Sequence, residues 1–167
     1  MDGRPLQACM AANGQRMDTT APSPTELIVA MVHVTTYTAA CRTHGDAATF
    51  AALERYYELV HGAVAEAGGR VVKFMGDAAL VTFPYRAAPA AATALAAVQK
   101  EATAWWQEFD PECRVQVKAT VGPVMVGELG VPGAGQLDVI GDTVNRLVKI
   151  AATSDLWFTP DLRELLE

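Results

Sequence analysis

Two short runs in this sequence carry side chains suited to binding ions, phosphates or bases. Lys73-Phe74-Met75-Gly76-Asp77 sets an ammonium four residues ahead of a carboxylate that follows a glycine. Leu137-Asp138-Val139-Ile140-Gly141-Asp142-Thr143-Val144-Asn145 offers carboxylates around a glycine break, then a primary amide. Carboxylate oxygens are what hard divalent cations such as magnesium require of a protein. Each residue also has an ordinary reading. Asp after Gly is a common turn pair, and a Lys–Asp contact at a surface contributes little. The elements that hold these residues decide which reading applies.

Leu27 to Val34 is short, β-branched and nearly all apolar, which predicts a buried strand. Asp46 opens a helix whose apolar face is expected to be Phe50, Leu53, Tyr57, Val60 and Val64, ended by Gly68-Gly69. Two strands follow, Arg70 to Phe74 and Ala78 to Phe83, with Gly76-Asp77 in the tight turn between them. Pro89 fits the first turn of a second long helix, with Ala91, Leu95, Val98, Ala102 and Trp105 as its buried stripe. Arg114 to Val121 alternates apolar and polar residues, the pattern of a half-solvated strand. Val124 to Leu129 reads as another strand. A Gly-rich loop, a short strand and a helix from about Thr143 to Ala152 come next, then an edge strand at Leu156 to Thr159 and a last helical turn or two from Pro160. Mixed elements with hairpins among them predict an α+β fold, a largely antiparallel sheet with helices packed on one face.

The 167 residues suffice for one domain with a hydrophobic core. Residues 1–25 show no sustained period and read as a flexible leader, leaving 26–167 as the domain. A formal charge of -6 argues against nucleic acid as a main partner. No apolar run approaches the roughly 20 residues of a membrane span, and a secretory signal is missing, so a cytoplasmic location is expected. Cys9, Cys41 and Cys113 form neither a zinc pattern nor a disulfide framework and are expected as buried thiols.

With Val121-Gly122-Pro123-Val124-Met125-Val126-Gly127-Glu128-Leu129-Gly130 between them, the two runs resemble class III adenylate and guanylate cyclase domains over about Glu26 to Leu166. The resemblance implies a ferredoxin-like, palm-like sheet, with further strands expected after the region matched. It also implies a chemistry. The ribose 3′-hydroxyl of a nucleoside triphosphate attacks the α-phosphate between two ions, Mg or Mn, and pyrophosphate leaves. Asp77 matches one of the two metal carboxylates. The other belongs to a Phe-Ala-Asp-Ile-x-Gly-Phe-Thr pattern, which here is Met31-Val32-His33-Val34-Thr35-Thr36-Tyr37-Thr38. His33 therefore stands in the place of the Asp and Thr36 in the place of the Gly. Thr36, Tyr37 and Thr38 fall at the turn that approaches the phosphates.

Lys73 matches the donor to adenine N1 and Asp138 the acceptor of the N6 amine, a pair suited to ATP. Asn145 matches the residue that orients the ribose. Lys149, one helical turn on and on the same face, replaces an Arg that stabilises transition-state charge. Imidazole is a poor magnesium ligand without negative charge, and Lys lacks the planar fork of Arg. Arg146 points about 100° away from Asn145 and reads as a surface residue. These replacements predict weak or absent turnover. Two alternatives stand beside that expectation: an active adenylate cyclase forming cyclic AMP, and a non-catalytic partner of a complete cyclase in a heterodimer. A His33–Asp77 site for a softer ion such as zinc or manganese is a further expectation. The family divides metal and base residues between subunits, so the resemblance implies a two-fold homodimer.

Overall fold

The computed structural model describes residues 21–167. Chain order is β1 (Ser23–Thr35), α1 (Tyr37–His44), α2 (Asp46–Glu66), β2 (Arg70–Met75), β3 (Ala78–Pro84), α3 (Ala88–Phe109), β4 (Arg114–Leu129), β5 (Gln136–Ile140), α4 (Asp142–Lys149), β6 (Leu156–Phe158) and α5 (Pro160–Glu164). The sheet runs β2-β3-β1-β4-β5, antiparallel throughout, and short β6 joins β4 in parallel. The α+β expectation holds.

β1 begins at Ser23, inside the stretch expected to be leader, because Ser23, Pro24 and Thr25 pair with Val126, Met125 and Val124. Cys9 and most of the expected leader lie outside the described residues. Cys113 is buried as expected, whereas Cys41 is only half-buried.

Alternation along the strands divides the sheet into two faces. One carries Ile28, Ala30, Val32 and Val34 with Val81, Phe83, Val115, Val117 and Ala119, packed under α2 and α3. The α2 stripe keeps Val60 and Val64 but shifts by one position over its first half. Thr49, Ala52, Tyr56, Val60 and Val64 face inward, and Phe50 is 65% exposed. Adjacent Tyr56 and Tyr57 left the phase ambiguous; Tyr56 took the core, and Tyr57 stacks on Phe74 at the β2–β3 hairpin, centroids 3.8 Å apart. On α3, Trp106 and not Trp105 is fully buried, for the same reason of neighbouring aromatics.

The opposite face is a second core: Val29, Leu80, Val124, Val126, Val139 and Leu147. Here the half-solvated strand is corrected, because Lys118 and Thr120 are buried too. Helix α4, expected to run to Ala152, ends at Lys149 and contributes Leu147 to this second face. Helices therefore pack on both faces and not on one.

The two strands expected around Gly122-Pro123 are one strand, β4. It pairs with β1 from Arg114 to Val126, while its other edge pairs with β6 at Val117–Ala119 and with β5 from Met125 onward. Pro123 sits in the gap between those two partners, where a missing N–H is tolerated. The same gap receives α4. Thr143 Oγ1 donates to the Pro123 carbonyl at 2.7 Å, and a Cβ on Gly122 would meet that oxygen at 2.8 Å. The Gly-Pro pair therefore marks a docking point for α4 and not a turn.

Candidate functional site

The first group of candidates gathers at the tips of β1 and the β2–β3 hairpin. His33 lies two residues before the end of β1, opposite Ala78 of β3 and Gln116 of β4. Asp77 forms the hairpin turn with Gly76, which has φ 62°. That left-handed backbone is open to glycine without steric cost. The turn is tied down twice. Val34 N–H donates to the Asp77 carbonyl at 3.1 Å, and Tyr57 Oη donates to the Gly76 carbonyl at 2.7 Å. The backbone bond from Val34 brings His33 and Asp77 to the same strand tips, as expected.

Burial lowers the His33 pKa first, and the neighbouring Lys118 ammonium lowers it further, against an opposing pull from Asp77. The imidazole is therefore biased to its neutral form. Among the described residues no group of three His, Cys, Asp or Glu side chains is placed to hold an ion. One carboxylate and one neutral imidazole beside a lysine do not fit two magnesium ions, which need several oxygen ligands and negative charge.

Thr36 follows at the N-cap of α1 with φ 59° and ψ 9°. A β-branched residue there is strained. Its hydroxyl anchors the turn, donating to the Glu112 carbonyl at 2.9 Å. Tyr37 turns its ring edge-on to Trp106, centroids 6.0 Å apart, and Thr38 is exposed. Burial and then a hydrogen bond with Cys41 push the Tyr37 pKa up to about 12.

The second group lies on the other side of the chain. Lys73 is on β2 and Asp138 on β5, opposite ends of the five-strand order, yet the Lys73 ammonium donates to Asp138 Oδ2 at 2.7 Å. A register shift between Val71 and Lys73 helps bring this about. The bulge lets Val72 pack on the second core while Lys73 stands opposite Leu80 of that same core. Asp138 Oδ1 accepts from the Val139 N–H at 2.8 Å. Burial pushes the Asp138 pKa up, but the Lys73 bond and the Val139 amide outweigh it and hold the carboxyl below its ordinary value. Beside Asp138 lies a hollow of about 40 Å³ lined by Met125, Leu129 and Ile140. That is far below the roughly 300–1,000 Å³ of a ligand pocket.

Asn145 and Lys149 are both exposed on α4, one turn apart. Arg146 points elsewhere and pairs with Asp142 at 2.9 Å, as its surface reading implied. The sequence reading missed Lys118. It is 8% exposed, and its ammonium donates to the carbonyls of Val148 and Ile150, each at 3.2 Å. It thus holds the backbone on both sides of Lys149. Its polar phase in β4 signalled solvent; only the return of α4, thirty residues later, buries it.

No family model matches the sequence, and the search of curated proteins finds no match. Solved structures do match. A bacterial light-regulated adenylyl cyclase superposes with a TM-score of 0.80 at 18% identity, over 89% of this chain and 47% of that one. The chain thus spans about half the length of that protein. The adenylyl cyclase CyaB from P. aeruginosa gives 0.80 at 19% identity, over 87% of this chain and 82% of that one. The catalytic core of a rhodopsin-guanylyl cyclase with converted specificity, in complex with ATPαS, gives 0.77 at 19%, over 89% and 85%. The chain has the fold of a class III nucleotidyl cyclase catalytic domain.

Proposed function

We propose that this chain is a nucleotide-binding, cyclase-like domain that recognises adenine through Lys73 and Asp138 and turns ATP over weakly or not at all. The observation that carries the reading is the 2.7 Å Lys73–Asp138 bond between distant strands, together with the lack, among the described residues, of a cluster of three metal-ligating side chains. An ammonium and a carboxylate side by side present one donor and one acceptor, the polarity of an adenine edge. Guanine offers the reverse. The solved relative with converted specificity, bound to ATPαS, is consistent with a base pocket of this kind.

The hollow beside Asp138 is too small to enclose a base, and its apolar lining is exposed, Met125 at 37%, Leu129 at 57% and Ile140 at 50%. A second copy would cover that surface and close the cleft. In such a homodimer, Asn145 would orient the ribose and Lys149 would meet phosphate charge, while Thr36, Tyr37 and Thr38 would line the phosphate turn. Magnesium or manganese would meet only Asp77 and His33, too poor a donor set for two-ion catalysis. The same imbalance favours a second reading, in which the chain lends Lys73, Asp138 and Asn145 to a complete cyclase in a heterodimer.

The test is calorimetric titration of ATP and GTP into protein whose dimeric state has been established by sedimentation. ATP should bind in preference to GTP, and Asp138→Ala should weaken ATP by about tenfold to a hundredfold. Equal affinities for the two nucleotides, unmoved by Asp138→Ala, would refute the base assignment.

A further inference from the structure

The strand tip holds a charge arrangement opposite to that of a cation site. Met31 pairs with Lys118, and His33 pairs with Gln116 two residues back along β4. Lys118 is thus a diagonal neighbour of His33 on the same face of adjacent strands, a separation of about 7–8 Å at most. Its ammonium is buried, donates only to main-chain carbonyls, and has no carboxylate partner among the described residues. The carbonyls at the end of α4 offset part of this charge, and what remains acts through low-dielectric protein with little screening by salt. Among the described residues, the carboxylate that acts on His33 against it is Asp77.

One negative and one positive charge leave this end close to neutral. A divalent ion would gain little from Asp77 and lose as much to Lys118. A polyphosphate has the opposite preference. It is repelled by the first and attracted by the second, and it needs no ion to soften its approach to a site whose fixed charge is already positive on one side. His33 adds no negative charge to reverse that balance.

We propose that this site binds ATP without a divalent metal ion, the Lys118 ammonium supplying from within the sheet the positive charge that bound ions would otherwise bring to the phosphates. The inference rests on the nucleotide-binding reading above and goes beyond it by fixing the form in which the nucleotide is taken.

The experiment is calorimetric titration of ATP into the full chain, once with excess magnesium and once with a chelator. The expected affinities agree within about threefold. His33→Asp, checked for folding by its melting curve, should make magnesium tighten ATP binding by about tenfold or more, within the usual range of site–site coupling. Lys118→Met should weaken ATP in chelator by about tenfold while leaving adenosine binding unchanged, and Lys118→Arg should retain ATP binding. A purely structural lysine would move both ligands together.

ATP binding that appears only with magnesium would overturn the inference and leave the nucleotide reading standing. Absence of ATP binding under both conditions would overturn the two together. The parent protein alone decides between these outcomes, even if the variants fail to fold.

Discussion

The two groups of candidate residues, on different sides of the chain, differ in what their side chains can do. At the β2–β5 end, the 2.7 Å bond between Lys73 and Asp138, set up with the help of a bulge in β2, forms the pair proposed above to meet adenine. At the β1–β3 end the backbone is equally well built: the Asp77 turn is pinned by Val34 and Tyr57, and the Thr36 turn by Glu112. There His33 and Thr36 stand where the resemblance would place an Asp and a Gly. Binding and turnover make separate demands on one fold, so a chain can retain the first while losing the second.

The largest expected effect erases the difference between the ends. His33→Asp combined with Lys149→Arg should raise cyclic AMP formation from ATP with magnesium by about two orders of magnitude or more, since ligands that act as a unit lose and regain function together. A folded, dimeric double variant that stays silent would show that His33 and Lys149 are not what limits turnover, with Thr36 the next position to restore.

Next in size is the support shared by both ends. Leu147 is fully buried and locks α4 onto the second core. Leu147→Ala should cost about 2–5 kcal/mol in chemical denaturation, the range for large-to-small core changes. Thr36→Val tests the other frame. It keeps the branched shape at positive φ but removes the hydroxyl that holds it, so a loss of about 1–2 kcal/mol is expected.

The smallest effect is electrostatic. Despite burial, the Lys73 bond and the Val139 amide hold the Asp138 pKa below its unfolded value. Its contribution to stability is therefore complete above about pH 4 and is lost as pH falls through the lower, folded value. With Lys73 41% exposed, that contribution should stay under about 1 kcal/mol. Urea midpoints for the parent and Asp138→Asn should differ at pH 7 and converge near pH 2.

Sequence pattern revealed the elements that depend on local signals. The Gly76-Asp77 turn, the α3 stripe through Ala102 and the inward set Val115, Val117 and Ala119 all follow from spacing within a single element. What failed depended on distant chain. Gly122-Pro123 looks like a break until Thr143 arrives to occupy the gap, and Lys118 looks solvated until α4 covers it. The α2 phase was lost to two adjacent tyrosines of similar apolar weight. Of the site, His33 and Asp77 were placed together only through the resemblance, since nothing local predicts that β1 pairs with β3. Lys73 and Asp138 were paired only through the resemblance, since their contact joins strands at opposite ends of the sheet order.

The central claim is that adenine recognition survives where turnover does not, and one preparation can test both. ATP binding and cyclic AMP formation should be measured side by side on the same verified dimer, with Asp77→Ala as the blank. The account predicts saturable ATP binding with cyclic AMP no more than marginally above the blank. Robust cyclic AMP formation in the parent, abolished by Asp77→Ala, would contradict it and show that His33 and Lys149 sustain catalysis.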